Sequence, residues 1–395
     1  MDKPERQGRR EPRTVGLDAH PDSFTASILE GKIPLEATVL KTSDKQALPT
    51  LETWITKNTS PEDVVVMEAS ANTFTLVERI EACGRTVLVL ESTQLGKVCK
   101  QYCVTDKISA VRIGRAYLGG MNDKVWVPDA ETRRRRDIFS AHQQAVRDFS
   151  RAVNRLKSYL NEYTVRMPKG VSVSSPKGEA WIMAREWEPH QRMLLEDDLS
   201  DMRHAQERRH KLRKIMAAEI LRTPALLRMV RIFGLRHITV YALAAYIGKI
   251  ERFRSPKKLV AYIGLQPWMK GSGEKTVYGS LTGGGRRDLR SLLIEAAHCV
   301  FRYRSQSNPL HKWAWSVHFR RGRNIAVVAV ARKMVTALWY LLMGMFTPLT
   351  ERTPHLQRKI RFLAEEIGIK AVKEMGFRRY QDFVLDRIQL IQEVT

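Results

Sequence analysis

Three acidic residues stand where acids are costly. Asp18 interrupts the apolar run "VGLDAH", Glu68 follows the run in "VVVMEAS", and Asp106 lies in "VTDKISA". An ionised carboxylate at a buried strand end is expensive unless a cation neutralises it. Together the three form a candidate oxygen cage for Mg2+, which takes few protein carboxylates and completes its shell with water and substrate phosphate. Such a cage activates an attacking oxygen and stabilises a leaving one in phosphodiester cleavage. Ser109 follows Asp106 by about one helical turn, where a fourth ligand would point. The plainer reading is also open: Asp18 and Glu68 as surface acids, with Thr105 or Asp106 capping a helix.

A second group of reactive residue types lies in "GLQPWMKGSGEKTVYGSLTGGGRRDLRSLLIEAAHCV" (264–300). Ser272 sits between two glycines and is flanked by Lys270 and Lys275, an electropositive setting in which a hydroxyl can approach a phosphate. The glycines of "GSLTGGGRRDLR" then feed a helix start where free amides and the guanidiniums of Arg286, Arg287 and Arg290 can hold phosphate oxygens. No GK[ST] follows at the spacing of a nucleotide-binding P-loop. Taken alone, this stretch also fits a solvated turn with a basic cap.

The charge says what these groups would act on. The 395-residue chain carries a net +25, and the excess is uneven: residues 1–110 hold 14 Lys and Arg against 16 Asp and Glu, residues 111–395 hold 53 against 26. The second part is therefore at +27 and the first at −2. A basic excess of this size marks a polyanion partner, because each phosphate neutralised releases counterions. Four cysteines are too few and too scattered for a disulfide framework. The apolar run nearest to membrane-spanning length, 325–346, is broken by Arg332 and Lys333. The charged first residues do not resemble a secretory signal. A cytoplasmic protein without membrane partners is expected.

The elements that must position these groups follow from hydrophobic period. Residues 14–20, 24–30 and 36–41 read as three strands, followed by a helix over about 44–57, a strand over 62–69, a helix over 73–83 and a strand over 85–91. Three antiparallel strands followed by αβαβ is the order of an RNase H-like, Holliday-junction-resolvase-like domain, in which the first and fourth strands are neighbours and would set Asp18 beside Glu68. From 131 to 164 apolar residues recur every three or four positions along a charged helix, and a second such helix spans about 190–222. These predict an arm or antiparallel coiled coil, pairing with another subunit or packed on its own domain. The expected architecture is α/β plus α-helical. It has an RNase H-like domain at 1–128, coiled-coil helices at 129–225, a mainly helical domain carrying Ser272 at 226–350, and a helical tail at 351–395.

The ordered set "VGLDAH", "VVMEAS", "VTDKISAVRIGRAYL", "IERFRSPKKLVAYIGLQP", "SG" and "GSLTGGGRRDLRSLLIEAA" resembles the DEDD transposases of the insertion-sequence family "one-ten", also called bridge-RNA-guided recombinases. The similarity covers most of the chain. It implies an RNase H-like domain with four acids, a coiled coil, and a transposase domain whose serine forms a covalent phosphoserine link with DNA. Asp18, Glu68 and Asp106 match the first three acids, Ser109 stands at the fourth, and Ser272 matches the nucleophile. Mg2+, donor and target double-stranded DNA, a structured guide RNA and a homo-oligomer, dimer or tetramer, are implied with them. The chain departs from the pattern at Ser109, in "FGLRH", which keeps only Gly234, and at Arg286, where an asparagine is usual. Two alternatives carry different chemistry: a metal-dependent junction nuclease in which water attacks, and a nucleic-acid-binding relative with an impaired site.

Overall fold

The structure, a computed structural model, describes residues 13–98, 105–121, 124–272, 275–302, 310–347, 349–350 and 353–393. The chain forms two compact units, 1–128 and 129–395.

The first unit is built on β1 (Thr14–Ala19), β2 (Ser23–Glu30), β3 (Thr38–Ala47), β4 (Val64–Glu68) and β5 (Thr86–Leu90). They form one sheet of order β3-β2-β1-β4-β5. The first three strands are antiparallel, and β4 and β5 run parallel to β1. The helices are α1 (Leu51–Asn58), α2 (Thr73–Ala82), α3 (Ser92–Val98) and α4 (Asp106–Leu118). The helix expected from residue 44 begins only at Leu51. The residues before it prolong β3, because Thr42 and Asp44 find hydroxyl partners on β2: Ser27 at 3.0 Å and Thr25 at 3.2 Å.

Alternation along the strands assigns the two faces. Val15, Leu17, Val65 and Met67 point to one side, where they pack with Leu51, Ile55, Leu76 and Ile80 of α1 and α2. Gly16, Asp18, Val66 and Glu68 therefore face the other side, where Val66 packs with Ile113 and Ala116 of α4. The contact between α4 and β1 is close. A Cβ on Gly16 would lie 1.9 Å from the Ala110 carbonyl oxygen and 2.9 Å from the Gly114 amide nitrogen. At the opposite end of β1, Arg13 donates to Asp63 at 2.6 Å, with both side chains buried. Burial alone would raise the Asp63 carboxyl, but hydrogen bonds from Arg13 and the Ser60 amide outweigh it and hold it below the usual range.

In the second unit α5 (Ala130–Glu162) and α7 (Pro189–Arg222), each about 50 Å long at 1.5 Å per residue, flank the short α6 (Pro176–Met183). The two long helices run antiparallel: Arg135 meets Glu219 near one end, and Arg155 meets Asp198 and Asp201 near the other. Ala152, Leu156 and Leu160 of α5 form a core of their own with Leu195, Leu199 and Met202 of α7. At the base, Arg134, Arg135 and the Tyr241 hydroxyl converge on Glu219. Their hydrogen bonds overcome the burial penalty and keep its carboxylate ionised.

Beyond α7 come α8 (Pro224–Met229), α9 (His237–Ile247) and α10 (Pro256–Ile263), then a hairpin of β6 (Pro267–Ser272) and β7 (Lys275–Leu281). They are followed by α11 (Arg287–Arg302), α12 (His311–Arg321), α13 (Arg323–Leu342), α14 (Thr353–Ile367), α15 (Ile369–Glu374) and α16 (Tyr380–Glu393). A single core runs from Phe139 of α5 through Ile391 of α16, so the base of the helix pair and the last three helices share it. Helix α13 is long and apolar enough to cross a membrane by length and composition. Here its Val327, Val330, Met334 and Leu338 are buried in that core, and the Lys333 ammonium lies 4.3 Å from the Trp313 ring centroid.

Gly16→Ala is expected to lower stability by about 1–3 kcal/mol or more, since the added methyl meets helix backbone that has no room to yield. Urea unfolding of the purified chain measures it, and an unchanged midpoint would contradict the packing of α4 on β1.

Candidate active-site residues

Asp18 lies one residue past the last β1–β4 pair, Leu17↔Met67, and Glu68 closes β4 on the adjacent strand. Helix α4 brings its N-terminus to this same end. The Thr105 side chain caps it by accepting from the Ile108 amide, and Asp106 opens its first turn. His20 follows β1 by one residue. Its amide donates to the Ser23 carbonyl at 2.8 Å, and its own carbonyl accepts from the Asn72 side chain at 3.1 Å.

Asp18, His20 and Asp106 each offer a ligand atom, and these atoms lie within 4.8 Å of one another. The His20 Nε2 is 3.5 Å from Asp106 Oδ1. Ser109 reaches the same place, for its hydroxyl hydrogen-bonds the Asp18 carboxylate. Glu68 is outside the 4.8 Å group. Burial pushes the Asp18 carboxyl above the usual range, the Ser109 hydrogen bond and His20 pull it back, and the Asp106 charge adds to the rise. Burial also raises Glu68. The Ser92 hydroxyl and Arg112 oppose that rise, whereas the charges of Asp18 and Glu91 add to it.

Ser272 ends β6 and pairs with Lys275 at the start of β7. The two residues between them, and the side chains of Ser272 and Lys275, lie outside what is described. Below the tip, the Trp268 ring lies across Gly279, where a Cβ would fall 1.9 Å from a ring carbon. The Thr282 amide closes the base on the Gln266 carbonyl at 3.0 Å. Arg290 donates to the carbonyls of Gly264 and Gly284, each at 3.1 Å. Gly264 and Gly285 both have positive φ, and a Cβ on Gly285 would lie 2.5 Å from the Gly264 nitrogen, so the loop requires glycine. Arg286 donates to both oxygens of Asp288 and lies over the Tyr246 ring at 3.8 Å. Of the basic residues picked out as phosphate ligands, Arg286 and Arg290 are thus engaged in building the loop. Lys270 and Arg287 are exposed.

Residues 15–165 match the DEDD transposase domain of the IS110 type, and residues 228–312 match the transposase domain of the IS116/IS110/IS902 family. The chain belongs to this family. Two of its relatives are insertion-sequence transposases. That of IS1111A from Coxiella burnetii is 34% identical over 110 residues, 28% of this chain and 30% of the relative. That of IS1328 from Yersinia enterocolitica is 23% identical over 283 residues, 71% and 84% of the two chains. A family 20 transposase of Pseudomonas aeruginosa is 25% identical over 300 residues, 71% and 84% of the two chains.

The transposase is accordingly an enzyme that cuts and rejoins DNA. The family's acidic domain implies a divalent metal, and the donor set suits one. Two carboxylates and an imidazole face one another within 4.8 Å, and Asp18 is half-buried without a basic side chain hydrogen-bonded to it among the described residues. His20 is the member of this group that was not expected from the sequence. It directly follows β1, two residues after Asp18.

A carboxyl raised in the folded state costs stability as pH rises from the ordinary range of about 4 through the raised value. Asp18→Asn removes that cost. In metal-free buffer it is expected to be more stable than the parent at pH 7, by roughly a few degrees in Tm, with the difference vanishing towards pH 4. Divalent metal should stabilise the parent and not the variant. Thermal unfolding across pH with and without metal reads both effects, and a variant less stable at pH 7 would overturn the assignment.

Proposed function

We propose that the transposase cuts DNA through a covalent phosphoserine at Ser272, assisted by Mg2+ held by Asp18, Glu68 and Asp106. Donor and target double-stranded DNA would be chosen by pairing with a structured guide RNA. The observation that carries this reading is the meeting of Asp18, Asp106, His20 and the Ser109 hydroxyl at one strand end, in a chain with both family domains. The sheet order β3-β2-β1-β4-β5, with Asp18 and Glu68 on adjacent strands, supports an RNase H-like fold. The +27 of residues 111–395 suits a protein holding RNA and DNA together.

In the proposed step the Ser272 oxygen forms a bond to phosphorus as one P–O bond of the strand breaks. The serine loses its proton and the departing deoxyribose oxygen gains one. Attack by the new strand's hydroxyl on the phosphoserine reverses the exchange and rejoins DNA. A divalent ion, when bound, supplies Lewis-acid polarisation of the phosphate. Asp18 and Asp106 would hold it together with Glu68 from the neighbouring strand, and the Ser109 hydroxyl would orient Asp18. Self-association through the α5–α7 pair is part of the proposal. Exposed Met193 and Leu194 on α7 are compatible with a partner there.

Incubation with DNA, candidate guide RNA and Mg2+, followed by denaturing electrophoresis, is expected to trap a protein–DNA adduct that Ser272→Ala lacks. Free cleaved ends without an adduct would instead indicate a water-driven nuclease, and binding without either product an impaired relative. Asp18→Ala, Glu68→Ala and Asp106→Ala should each reduce cleavage at saturating DNA by at least about 100-fold, and full activity in one of them removes that residue from the cage. Ser109→Asp should lower the Mg2+ concentration needed for half-maximal cleavage.

A further inference from the structure

The second unit holds a pocket whose lining is costly as it stands. His142 of α5 and His237 of α9 line it and are 5% and 8% exposed. Neither ring nitrogen of His142 has a hydrogen-bond partner, nor has His237 Nε2. Buried polar atoms are nearly always paired, so three orphans in one pocket call for a ligand. The surrounding charge says which kind. Arg209, Arg213, Arg236 and Arg302 line the same pocket, against Glu295 at its wall and Glu366, which binds one Arg213 nitrogen at 2.7 Å. Arg213 Nε and Arg209 Nε are themselves buried without a partner. Arg236 lies over the Phe362 ring at 5.7 Å, and its side chain does not cap α9, whose N-terminus opens at His237.

From these observations we infer that the pocket binds a phosphate oxyanion, contributed by a nucleic-acid backbone. A metal ion is disfavoured: four guanidiniums repel a cation, and the described residues here form no metal-ligating group. An oxyanion instead accepts from every unsatisfied donor at once, from the arginines, from the imidazoles once protonated, and from the first amides of α9. Burial and the Arg213 and Arg209 charges hold His142 at about 4. Burial, Arg213, Arg236 and His142 do the same to His237, also at about 4. A bound phosphate monoanion offsets the arginine charges that disfavour the imidazolium, so ligation draws protons onto the rings. Phosphate capture here would anchor a strand independently of the reaction at Ser272.

The full-length chain is titrated calorimetrically at pH 6 with inorganic phosphate, in two buffers of different ionisation enthalpy and at constant ionic strength set with chloride. The expected result is saturable binding with uptake of more than one proton per site. His142→Gln should take up about one proton fewer and bind roughly tenfold or more weakly. Arg236→Gln, at an exposed position and so safe for folding, should weaken binding similarly while keeping the proton uptake. A short DNA or RNA oligonucleotide should compete with phosphate for the site. Binding without proton uptake, or an affinity in both variants equal to the parent's, overturns the pocket. Binding of phosphate that no oligonucleotide displaces overturns the nucleic-acid source. The Ser272→Ala chain should titrate like the parent, so loss of the adduct chemistry and loss of this pocket are told apart.

Discussion

The first unit depends on how closely helix α4 can approach strand β1. With no side chain at Gly16, the helix backbone at Ala110 and Gly114 lies directly against the strand. That depth of contact puts the first turn of α4 at the level of the strand ends, where Asp106 and Ser109 meet Asp18. A side chain at Gly16 would lift the helix and part these groups without touching any of them. The Arg13–Asp63 pair fixes the far end of β1 and the start of β4, so the central strands are held at one end by charge and at the other by packing.

Much of this was legible in the order of residues. The apolar runs of β1 and β4, each with one acid at its end, marked the elements and the strand end where Asp18 meets Asp106, and the alternation that buries Val15 and Leu17 on one side requires Gly16 and Asp18 on the other. The β3 boundary was not legible, because "KTSDKQA" carries no apolar period and owes its extended form to hydroxyl and carboxylate partners on β2. His20 escaped for a related reason: a histidine after a strand has no cost that calls for explanation, and its place beside Asp106 depends on a helix about 90 residues later.

The second unit shows the opposite balance. The spacing of apolar residues located both long helices to within a residue or two. It could not tell that Arg286 and Arg290 are spent inside the protein, since an arginine's partner is a matter of three-dimensional position. The carbonyls of Gly264 and Gly284 are what recruit Arg290, and Tyr246 with Asp288 is what recruits Arg286. Basic composition thus overstates how much charge is available to a polyanion. The exposed residues, such as Lys270 and Arg287, are the better guide.

The helix pair has a further property. Its outer part, from Ala152 to Met202, buries apolar residues only within itself and the connection between the helices, whereas its base belongs to the common core. Between the two, the seam is occupied by His142, Arg209 and Arg213. The outer part is therefore modular. Matched seven-residue lengths removed from or added to both helices would preserve the register of the seam, so the reach of the arm can change without disturbing the core at its base.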